Sequence, residues 1–437
     1  MIETLGLPAG VASDAVDLAV EARAASRALA ATQGPARAAA VAAMADALEA
    51  HADALLEANA LDVADASAQV EAGTLSSANA ARLVLDRDKL AGLAQGLRQI
   101  AALPEPVGQV LRTTELAEGL VLTQVTAPLG VLLVIFESRP DALPQIAALA
   151  VRSGNAVLLK GGKEAARSNR ALADVLRAAI APHVPMGAVA LLDGREAVDA
   201  LLGREDLIDL VIPRGSNALV ASIQARTRIP VLGHADGVCH IYLDDAVDLQ
   251  AALPIVRDAK LDYPSACNAM ETLLVHRALA DDGRLAAVLA ALPEVAWHAS
   301  PSQAASLGLP VAPSLHHEYG AAAATVVVVD DVAAAMDHIH AHGSGHTEAI
   351  LTEDRAVAEA FLAGVDSASV FHNASTRFAD GFRYGLGAEV GISTSRLHAR
   401  GPVGVEGLLT KRWLLRGRGQ TVAETRDGRV VFTHRLL

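Results

Sequence analysis

One cysteine in this sequence is well placed for covalent chemistry. Cys267 lies in the segment 260–271, where Pro264 is incompatible with a helix interior. The apolar run 272–275 follows at once and predicts a buried strand, so the thiol belongs to a loop that leads into a strand. Nucleophiles are often found on such loops, held by a rigid scaffold. A lone free cysteine is more often a small buried residue, and the rest of the chain decides between these alternatives.

A second signal is a short basic loop between a predicted strand at 156–159 and a predicted helix at 165–181. Its residues are Lys160, Gly161, Gly162 and Lys163. Glycine lets the backbone approach a phosphate, and the helix N-terminus favours anions. The second lysine adds charge for a further phosphate, such as one at a ribose 2′ position. The alternative is a basic surface turn, and the loop is not a P-loop, since the pattern G-x-x-x-x-G-K-[ST] is absent.

The scaffold for these loops is visible in the hydrophobic pattern. Strands alternate with helices, which is typical of βαβ units and a parallel sheet. The strands are predicted at 131–136, 156–159, 189–192 and 207–212. Ligands bind at the carboxyl ends of such strands. The fourth strand leads into a second loop at the same edge, formed by Arg214, Gly215 and Ser216.

The alternation restarts after the first sheet, which predicts a second α/β domain. Ahead of the first sheet, residues 1–100 carry apolar side chains at helical spacing. Strands at 110–114 and 120–125 then predict a two-stranded arm. Near the C-terminus we expect a helix at 405–414 and a last strand near Val422.

The composition excludes several classes of function. The chain has 437 residues, enough for two or three domains, and a formal net charge of −14, which argues against sequence-independent nucleic-acid binding. Its longest apolar runs fall short of the roughly 20 residues that span a membrane. No signal peptide is visible and two cysteines form no disulfide framework, so a reducing cytoplasm is expected. The spacing of His234, Cys239 and His240 resembles no zinc pattern, and no metal is expected.

Several segments together resemble one enzyme family. The order of the parts, with a helical start, paired strands, a cofactor sheet, a loop cysteine and a late Glu318, resembles the aldehyde dehydrogenase superfamily. The more detailed resemblance is to the γ-glutamyl phosphate reductases, also called glutamate-5-semialdehyde dehydrogenases, and it covers nearly the whole chain. The segments that carry it are 134–140, 154–162, 262–268, 387–394 and 398–402.

The resemblance implies a reaction. It is the NADPH-dependent reduction of L-glutamyl 5-phosphate to L-glutamate 5-semialdehyde with release of phosphate, a step of L-proline biosynthesis. Cys267 matches the catalytic cysteine, whose thiolate attacks the acyl carbon and gives a thioester that accepts hydride. An oxyanion site is expected at the Cys267 backbone N–H. The alternative is an oxidative aldehyde dehydrogenase of another small semialdehyde. Residues 232–237 lack its activating glutamate, which counts against it, as does Lys163.

The resemblance also implies the division of the chain. The fold is expected to be α/β and aldehyde dehydrogenase-like, with a Rossmann-like cofactor domain, an α/β catalytic domain and a small β oligomerisation arm. The NADP-binding domain comprises 1–107 and 126–238, the catalytic domain 239–415, and the arm 108–125 and 416–437.

NADPH is expected at the two loops of the first sheet and at one later glutamate. In the superfamily the lysine at Lys160 meets the adenosine ribose, and Glu318 matches the glutamate that holds the nicotinamide ribose. Lys163 stands where NAD-using members often carry a ribose-binding glutamate, and it suits a 2′-phosphate. The cofactor-binding residues expected are Lys160, Gly161, Gly162, Lys163, Arg214, Gly215, Ser216 and Glu318.

Arginines are the candidates for gripping the substrate, because a planar guanidinium suits phosphate or carboxylate. For each of them a structural ion pair is the alternative. The substrate-binding candidates are Arg139, Arg383, Arg396 and Arg400, together with Asn268 beside the thiol. The oxyanion asparagine of the superfamily has no clear match in this sequence.

The expected partners follow from the same resemblance. We expect at least a dimer, either a homodimer or a homotetramer, held by main-chain pairing between the arm and a neighbouring subunit. The other partners are the small-molecule substrate and glutamate 5-kinase as a pathway partner. Neither nucleic acid nor a membrane is expected to bind.

Overall fold

The computed structural model describes residues 9–215, 217–233, 236–396 and 398–437. The described chain begins with a layer of helices, as the helical spacing predicted. They are α1 (Ala9–Ala31), α2 (Gly34–Ala50), α3 (Ala52–Glu71), α4 (Ser77–Leu83) and α5 (Arg87–Ala102). Ala40, Met44 and Leu48 of α2 are fully buried and belong to the same core as the strands of the first sheet. Small side chains on this face allow close packing of the helix.

An antiparallel hairpin follows the helical layer. Its strands are β1 (Val110–Ala117) and β2 (Leu120–Pro128). The predicted two-stranded arm is confirmed. Each strand ends three residues later than predicted, at Ala117 and Pro128. Gly119 makes the turn between them with φ of 70°, a left-handed conformation that glycine adopts without strain.

The first sheet is parallel and has helices on both faces. Its elements are β3 (Val131–Phe136), α6 (Ala142–Arg152), β4 (Ala156–Lys160), α7 (Ala166–Ile180), β5 (Val189–Leu191), α8 (Gly194–Leu201), β6 (Leu210–Arg214) and α9 (Asn217–Gln224). The strand order is β5-β4-β3-β6, and all pairs are parallel. Separate cores fill the two faces, which explains why the strands are continuous apolar runs.

The second sheet is also parallel and has six strands. Its elements are β7 (Cys239–Leu243), α10 (Leu249–Leu261), β8 (Met270–His276), α11 (Arg277–Asp281), α12 (Arg284–Ala291), β9 (Ala296–Ala299), α13 (Ala304–Leu307), β10 (Ala323–Val329), α14 (Val332–His342), β11 (Thr347–Leu351), α15 (Arg355–Gly364) and β12 (Ser369–His372). The strand order is β12-β11-β7-β8-β10-β9. This confirms the predicted second α/β domain, although β9 and β11 were not foreseen from the sequence.

The C-terminal region differs from the prediction. Its elements are β13 (Ile392–Ser393), β14 (Gly401–Pro402), β15 (Leu409–Arg416), α16 (Val422–Arg426) and β16 (Arg435–Leu436). The helix predicted at 405–414 is wrong, because this stretch forms β15, which pairs with β2 along eight residues. The strand predicted near Val422 is also wrong. Val422 begins a short helix, whose capping box joins Thr421 and Glu424.

The arm is therefore a four-stranded sheet within one chain, in the order β15-β2-β1-β16. It is larger than the predicted arm, since β2 runs to Pro128 and β15 begins at Leu409. The edges of the hairpin are covered by the C-terminal region of the same chain, as far as Leu436. The subunit contact expected at the arm stays a prediction. None of the helices in the described ranges is long and apolar enough to cross a membrane.

Candidate active site

The two sheets meet with opposite strand ends facing each other. Arg214 ends β6 at the carboxyl edge of the first sheet, whereas Cys267 lies just before β8, at the amino edge of the second. Burial lowers the pKa of Arg214, and the thiolate charge of Cys267 is among those that oppose this lowering. Asp380, which lines one cavity together with Arg214, follows Ala379, and the Ala379 carbonyl oxygen accepts a hydrogen bond from Asn268, the residue after Cys267. The candidate active site lies between these two edges.

The loop that carries Cys267 is shaped by two tight turns. The Ala266 N–H donates to the Tyr263 carbonyl oxygen at 3.0 Å, and the Ala269 N–H donates to the Ala266 carbonyl oxygen at 2.9 Å. The Cys267 side chain is partly buried. Among the residues that the structure describes, no acceptor pairs with its backbone N–H. That N–H is available to a negative charge that develops beside the thiol, as an oxyanion site requires.

Glu318 is tied to this loop through the segment that joins the two domains. Its Oε2 accepts a hydrogen bond from the Gly237 N–H at 3.1 Å. Gly237 lies directly on the backbone of Cys267, since a Cβ added to it would come within 2.3 Å of the Cys267 carbonyl oxygen. Only glycine permits this approach. The predicted nucleophile and the predicted ligand of the nicotinamide ribose thus belong to one cluster.

The second cysteine is unsuited to act as the nucleophile. Cys239 begins β7 and is fully buried, and its thiol donates to the Cys267 carbonyl oxygen at 3.3 Å. Burial raises the pKa of the Cys239 thiol well above its usual range, which keeps it protonated and unreactive. Its Sγ also lies 3.7 Å from His346 Nδ1. The described residues nevertheless include no group of His, Cys, Asp and Glu side chains that fits a metal ion.

A buried ion pair, which sequence reasoning missed, supports the thiol loop. The Lys260 Nζ lies 2.9 Å from the Glu271 Oε2, and both side chains are completely buried. Burial raises the pKa of Glu271 to about 7 and lowers the pKa of Lys260, while each partner's charge opposes the shift of the other. Glu271 also accepts a hydrogen bond from the Tyr319 N–H at 3.1 Å. The pair therefore connects the two ends of the thiol segment to the residue that follows Glu318.

A cavity of about 620 Å³ lies at the carboxyl ends of β3, β4 and β5. All four residues of the predicted basic loop line it, from Lys160 to Lys163. A Cβ added to Gly161 would come within 2.1 Å of the Asn169 Nδ2, so glycine is needed for close packing of the loop on α7. The predicted placement of this loop at the sheet edge is thus seen in the structure.

Other groups in this cavity were missed from the sequence. Glu164 Oε1 accepts hydrogen bonds of 2.7 Å from both the N–H and the hydroxyl of Ser138, which has φ of 46°. Arg195 lines the cavity from the start of α8. Arg195 follows the end of β5 just as Lys163 follows the end of β4, so the strand pattern itself contained this signal.

A different cavity, of about 480 Å³, receives Arg214. Arg139 also lines it, together with the carboxylates of Asp380 and Glu389. The sequence assigned Arg214 to the cofactor, but the structure does not bring it together with the basic loop in one cavity. Gly215 packs against Glu137, since an added Cβ would lie 2.5 Å from the Glu137 Oε2. Ser216 lies outside the described residues.

The remaining substrate candidates have partners within the chain. Asn268 donates from Nδ2 to the Ala379 carbonyl oxygen at 2.9 Å, and its Oδ1 accepts from Arg377. Arg383 donates to the Arg377 carbonyl oxygen and lies 3.7 Å from the Asp262 carboxylate. Arg396 and Arg400 both pair with Asp366, and the Arg400 contact is 2.7 Å. Of the four arginines predicted to bind the substrate, Arg139 is thus the one that shares the cavity of Arg214.

Comparison with known proteins gives a consistent set of matches. A model of the aldehyde dehydrogenase family matches residues 3–308. Delta-1-pyrroline-5-carboxylate synthase A of Arabidopsis thaliana is 55% identical over 424 residues, which are 97% of this chain and 58% of that protein. Gamma-glutamyl phosphate reductase of Synechococcus sp. (strain JA-3-3Ab) is 52% identical over 409 residues, 92% of this chain and 90% of that protein.

The solved structures agree with these matches. The crystal structure of gamma-glutamyl phosphate reductase from Thermotoga maritima superposes with a TM-score of 0.88 at 32% identity, covering 93% of this chain and 99% of that one. This likeness confirms the predicted aldehyde dehydrogenase-like α/β fold. The chain spans less than two thirds of the plant synthase, at 58%, but nine tenths of the Synechococcus reductase.

Proposed function

The chain belongs to the aldehyde dehydrogenase family and, within it, to the γ-glutamyl phosphate reductases, and on this premise we propose that it reduces L-glutamyl 5-phosphate to L-glutamate 5-semialdehyde with NADPH. The observation that carries the proposal is the position of Cys267. This partly buried thiol lies on the loop before β8, in contact with Gly237, whose N–H donates to Glu318, and the first sheet carries both a basic cleft and a cavity that contains two arginines. The relatives of similar length that bear the reductase name support the same step of L-proline biosynthesis.

In this mechanism Cys267 acts as the nucleophile. Its thiolate attacks the acyl carbon, the S–C bond forms, and the C–O bond to phosphate breaks with its electron pair leaving on phosphate. The Cys267 N–H, which has no acceptor among the described residues, stabilises the oxyanion at each tetrahedral stage. Lys160, Lys163 and Arg195 of the cleft would hold NADPH, which would supply the hydride for reduction of the thioester. Collapse of the thiohemiacetal then regenerates the thiolate and frees the aldehyde.

The cleft suits a phosphorylated dinucleotide. Lys160 and Lys163 bring two positive charges to a glycine loop at strand ends, and Arg195 adds a third on the same cavity. Asn169 Oδ1 is a buried acceptor that has no partner among the described residues, and Asn169 lines the same cavity. A ribose hydroxyl is the kind of donor that such an oxygen requires. Lys163 is exposed, as a residue that meets a 2′-phosphate at the rim should be.

The alternative, an oxidative aldehyde dehydrogenase, lacks support at the domain junction. A hydrolytic enzyme needs a base that activates water against the thioester, and residues 232–237 contain no glutamate. Glu318 stands near the thiol, but its Oε2 accepts from the Gly237 N–H. This arrangement favours a thioester that reacts with hydride, or with phosphate in the reverse direction, over one that is hydrolysed by water.

The wider setting of the enzyme belongs to the same proposal. We expect a cytoplasmic homodimer or homotetramer that takes its substrate from glutamate 5-kinase. The plant synthases are considerably longer than this chain, since the matched stretch covers 58% and 59% of two of them, which leaves room for a further domain in those proteins.

The reverse reaction gives a direct test. The protein is incubated with L-glutamate 5-semialdehyde and NADP+, and NADPH formation is followed with and without inorganic phosphate. We expect NADPH to accumulate catalytically only with phosphate, because phosphate must release the acyl group from Cys267. Arsenate should replace phosphate and remove the equilibrium limit, since acyl arsenates hydrolyse. Equal steady rates with and without phosphate would instead identify an oxidative dehydrogenase.

A further inference from the structure

The cavity of about 480 Å³ is not part of the dinucleotide cleft, and the two cavities share no lining residue. It is connected to the thiol loop through Asp380, which lines it and follows Ala379, whose carbonyl oxygen accepts a hydrogen bond of 2.9 Å from Asn268, the residue after Cys267. Its size is within the range of small-molecule sites, which is about 300–1,000 Å³. One wall is formed by the glycine face of α5, where Gly92 and Gly96 leave open space. The charged groups of the cavity are Arg139, Arg214, Asp380 and Glu389.

Two of these charges are alike and stand close together. Burial lowers the pKa of Arg214, and the positive charge of Arg139 lowers it further. Arg139 has one weak contact, at 3.4 Å from Asp141. The Arg214 guanidinium has no hydrogen-bond acceptor among the described residues, although the charges of Glu389 and Asp141 act on it from a distance. The nearby carboxylates offset part of the repulsion between the two guanidinium groups, and a bound anion would stabilise the pair further.

Other arginines of the chain are arranged differently. Arg377 donates to Asp262 at 3.0 Å and also to Asn268. Arg400 makes two hydrogen bonds to Asp366, at 2.7 and 2.8 Å. The donors of these side chains are occupied by structural contacts within the chain. The contrast singles out Arg214 as a cation that lines a cavity and whose guanidinium has no hydrogen-bond acceptor among the described residues.

We propose that Arg139 and Arg214 together bind the phosphate of the acyl phosphate and hold it as the leaving group. A planar fork donates two parallel hydrogen bonds to phosphate oxygens, and two forks can bind a dianion from two sides. As the sulfur of Cys267 bonds to the acyl carbon, the electron pair of the C–O bond passes to a phosphate oxygen. The charge that grows on that oxygen is stabilised by Arg214. In the reverse direction the pair binds inorganic phosphate for attack on the thioester.

This inference rests on the proposed function and changes one sequence-based assignment. Arg214 was expected to bind the cofactor, from its place after the fourth strand. Its guanidinium lines the other cavity instead, so it is a catalytic residue that acts on the phosphate. Dinucleotide binding should consequently not depend on it.

The test separates two half-reactions in the reverse direction. Wild type, Arg214→Gln, Arg214→Lys and Arg139→Gln are mixed rapidly with L-glutamate 5-semialdehyde and NADP+ without phosphate, and the burst of NADPH reports thioester formation at Cys267. Phosphate is then added, and steady turnover reports phosphorolysis. We expect Arg214→Gln to keep a burst of about one NADPH per subunit and to lose phosphorolysis by about 10²–10³-fold, the effect of removing one charge-stabilising donor. Arg214→Lys keeps the positive charge but not the planar pair of donors, so its rate of phosphorolysis should lie between those of wild type and Arg214→Gln.

Three controls make the result decisive. Arg257→Gln removes a surface arginine paired with Glu294 at 2.9 Å and should match wild type throughout. NADPH affinity, measured by fluorescence, should be unchanged in Arg214→Gln. Millimolar guanidinium should restore part of the phosphorolysis of Arg214→Ala, which a merely structural role of the arginine does not allow.

The outcomes are distinguishable. A wild type without phosphate-dependent turnover would overturn the proposed function itself. A wild type that shows it, with Arg214→Gln unchanged in turnover and in KM for phosphate, would overturn only the phosphate site. A tenfold loss of NADPH affinity in Arg214→Gln, with normal phosphorolysis once NADP+ is saturating, would overturn the phosphate site and show that Arg214 binds the cofactor.

Discussion

The cofactor cleft and the thiol loop are built differently, although both lie at the edge of a parallel sheet. In the cleft, ligand-facing side chains directly follow strand ends, and Lys160 and Lys163 keep contact with solvent. On the thiol side the supporting charges, Lys260 and Glu271, are completely buried. Changes in the cleft should therefore tune affinity, whereas changes under the thiol should affect folding and catalysis together.

The largest effect is expected from the thiol itself. Cys267→Ser should lower reductase activity by at least about 10³-fold, because a serine hydroxyl does not ionise near neutral pH. The variant should still bind NADPH, which a fluorescence titration checks, since the cleft lies on the other sheet.

Cys239→Ser is the matched control for this substitution. It makes the same exchange of sulfur for oxygen at a buried thiol that touches the Cys267 carbonyl oxygen. We expect most of the activity to remain. Comparable losses in both variants would mean that Cys267 is not the nucleophile, or that both thiols are structural.

The positions of the basic loop and of the proposed nucleophile relative to the strands could be predicted from the sequence, whereas the buried groups that support them could not. Lys160 and Cys267 stand in short motifs whose positions relative to strands follow from hydrophobic pattern. The partner of Lys260 is eleven positions away, across the end of α10 and the whole loop, and burial of both groups depends on tertiary packing. For Arg214 the strand pattern gave the correct edge, but the direction of its long side chain decides between two cavities.

The second prediction concerns the buried ion pair. Glu271→Gln leaves the Lys260 ammonium buried without its partner and should lower the free energy of unfolding by about 3–5 kcal/mol. The double variant with Lys260→Met and Glu271→Leu should recover much of this loss, because neither charge is then buried. Thermal and urea unfolding of the singles and the double give the coupling energy, and strictly additive losses would show that the two groups do not interact.

The same pair predicts a dependence on pH. The pKa of Glu271 is raised by burial from 4.5 to about 7, so between these values the folded chain holds a proton that the unfolded chain has released. The contribution of Glu271 to the free energy of unfolding therefore falls as pH rises from 4.5 to about 7 and is level above it. The double variant should lack this component. Identical pH profiles of stability for wild type and the double variant would contradict the raised pKa.

A smaller effect is expected in the cleft. Lys163→Glu replaces attraction by repulsion at the proposed 2′-phosphate and should weaken NADPH binding by about tenfold or more relative to NADH. Lys89→Glu, a charge reversal in the first turn of α5 and outside the lining of the cleft, is the control and should leave both affinities unchanged. Equal weakening of both cofactors by Lys163→Glu would show that Lys163 does not read that phosphate.

The wrong helix prediction near the C-terminus shows what a local sequence pattern cannot predict. Residues 409–416 combine leucines with lysine and arginine, which favour a helix. The stretch nevertheless forms β15, since the edge of β2 offers eight consecutive main-chain partners and the strand satisfies them. Such long-range pairing cannot be seen within a window of the sequence. The pairing also reduces the backbone groups that the hairpin offers to a second subunit, because the C-terminal region already covers the hairpin of its own chain.

The smallest effect on turnover is expected at the arm, where we still predict a subunit contact. β15 is the outermost strand of its sheet, and it presents the apolar side chains Trp413 and Leu415, which are 51% and 57% exposed. An exposed edge strand of this kind is usually covered in the native assembly. Trp413→Glu should therefore weaken subunit association, seen by light scattering as a rise in monomer at micromolar concentration, while activity per folded subunit changes little. Val422→Glu, at an apolar residue that is 75% exposed and lies outside the strand, is the matched control. A wild type that is monomeric at micromolar concentration would remove the basis for the contact, and an unaltered oligomer in Trp413→Glu would move it away from β15.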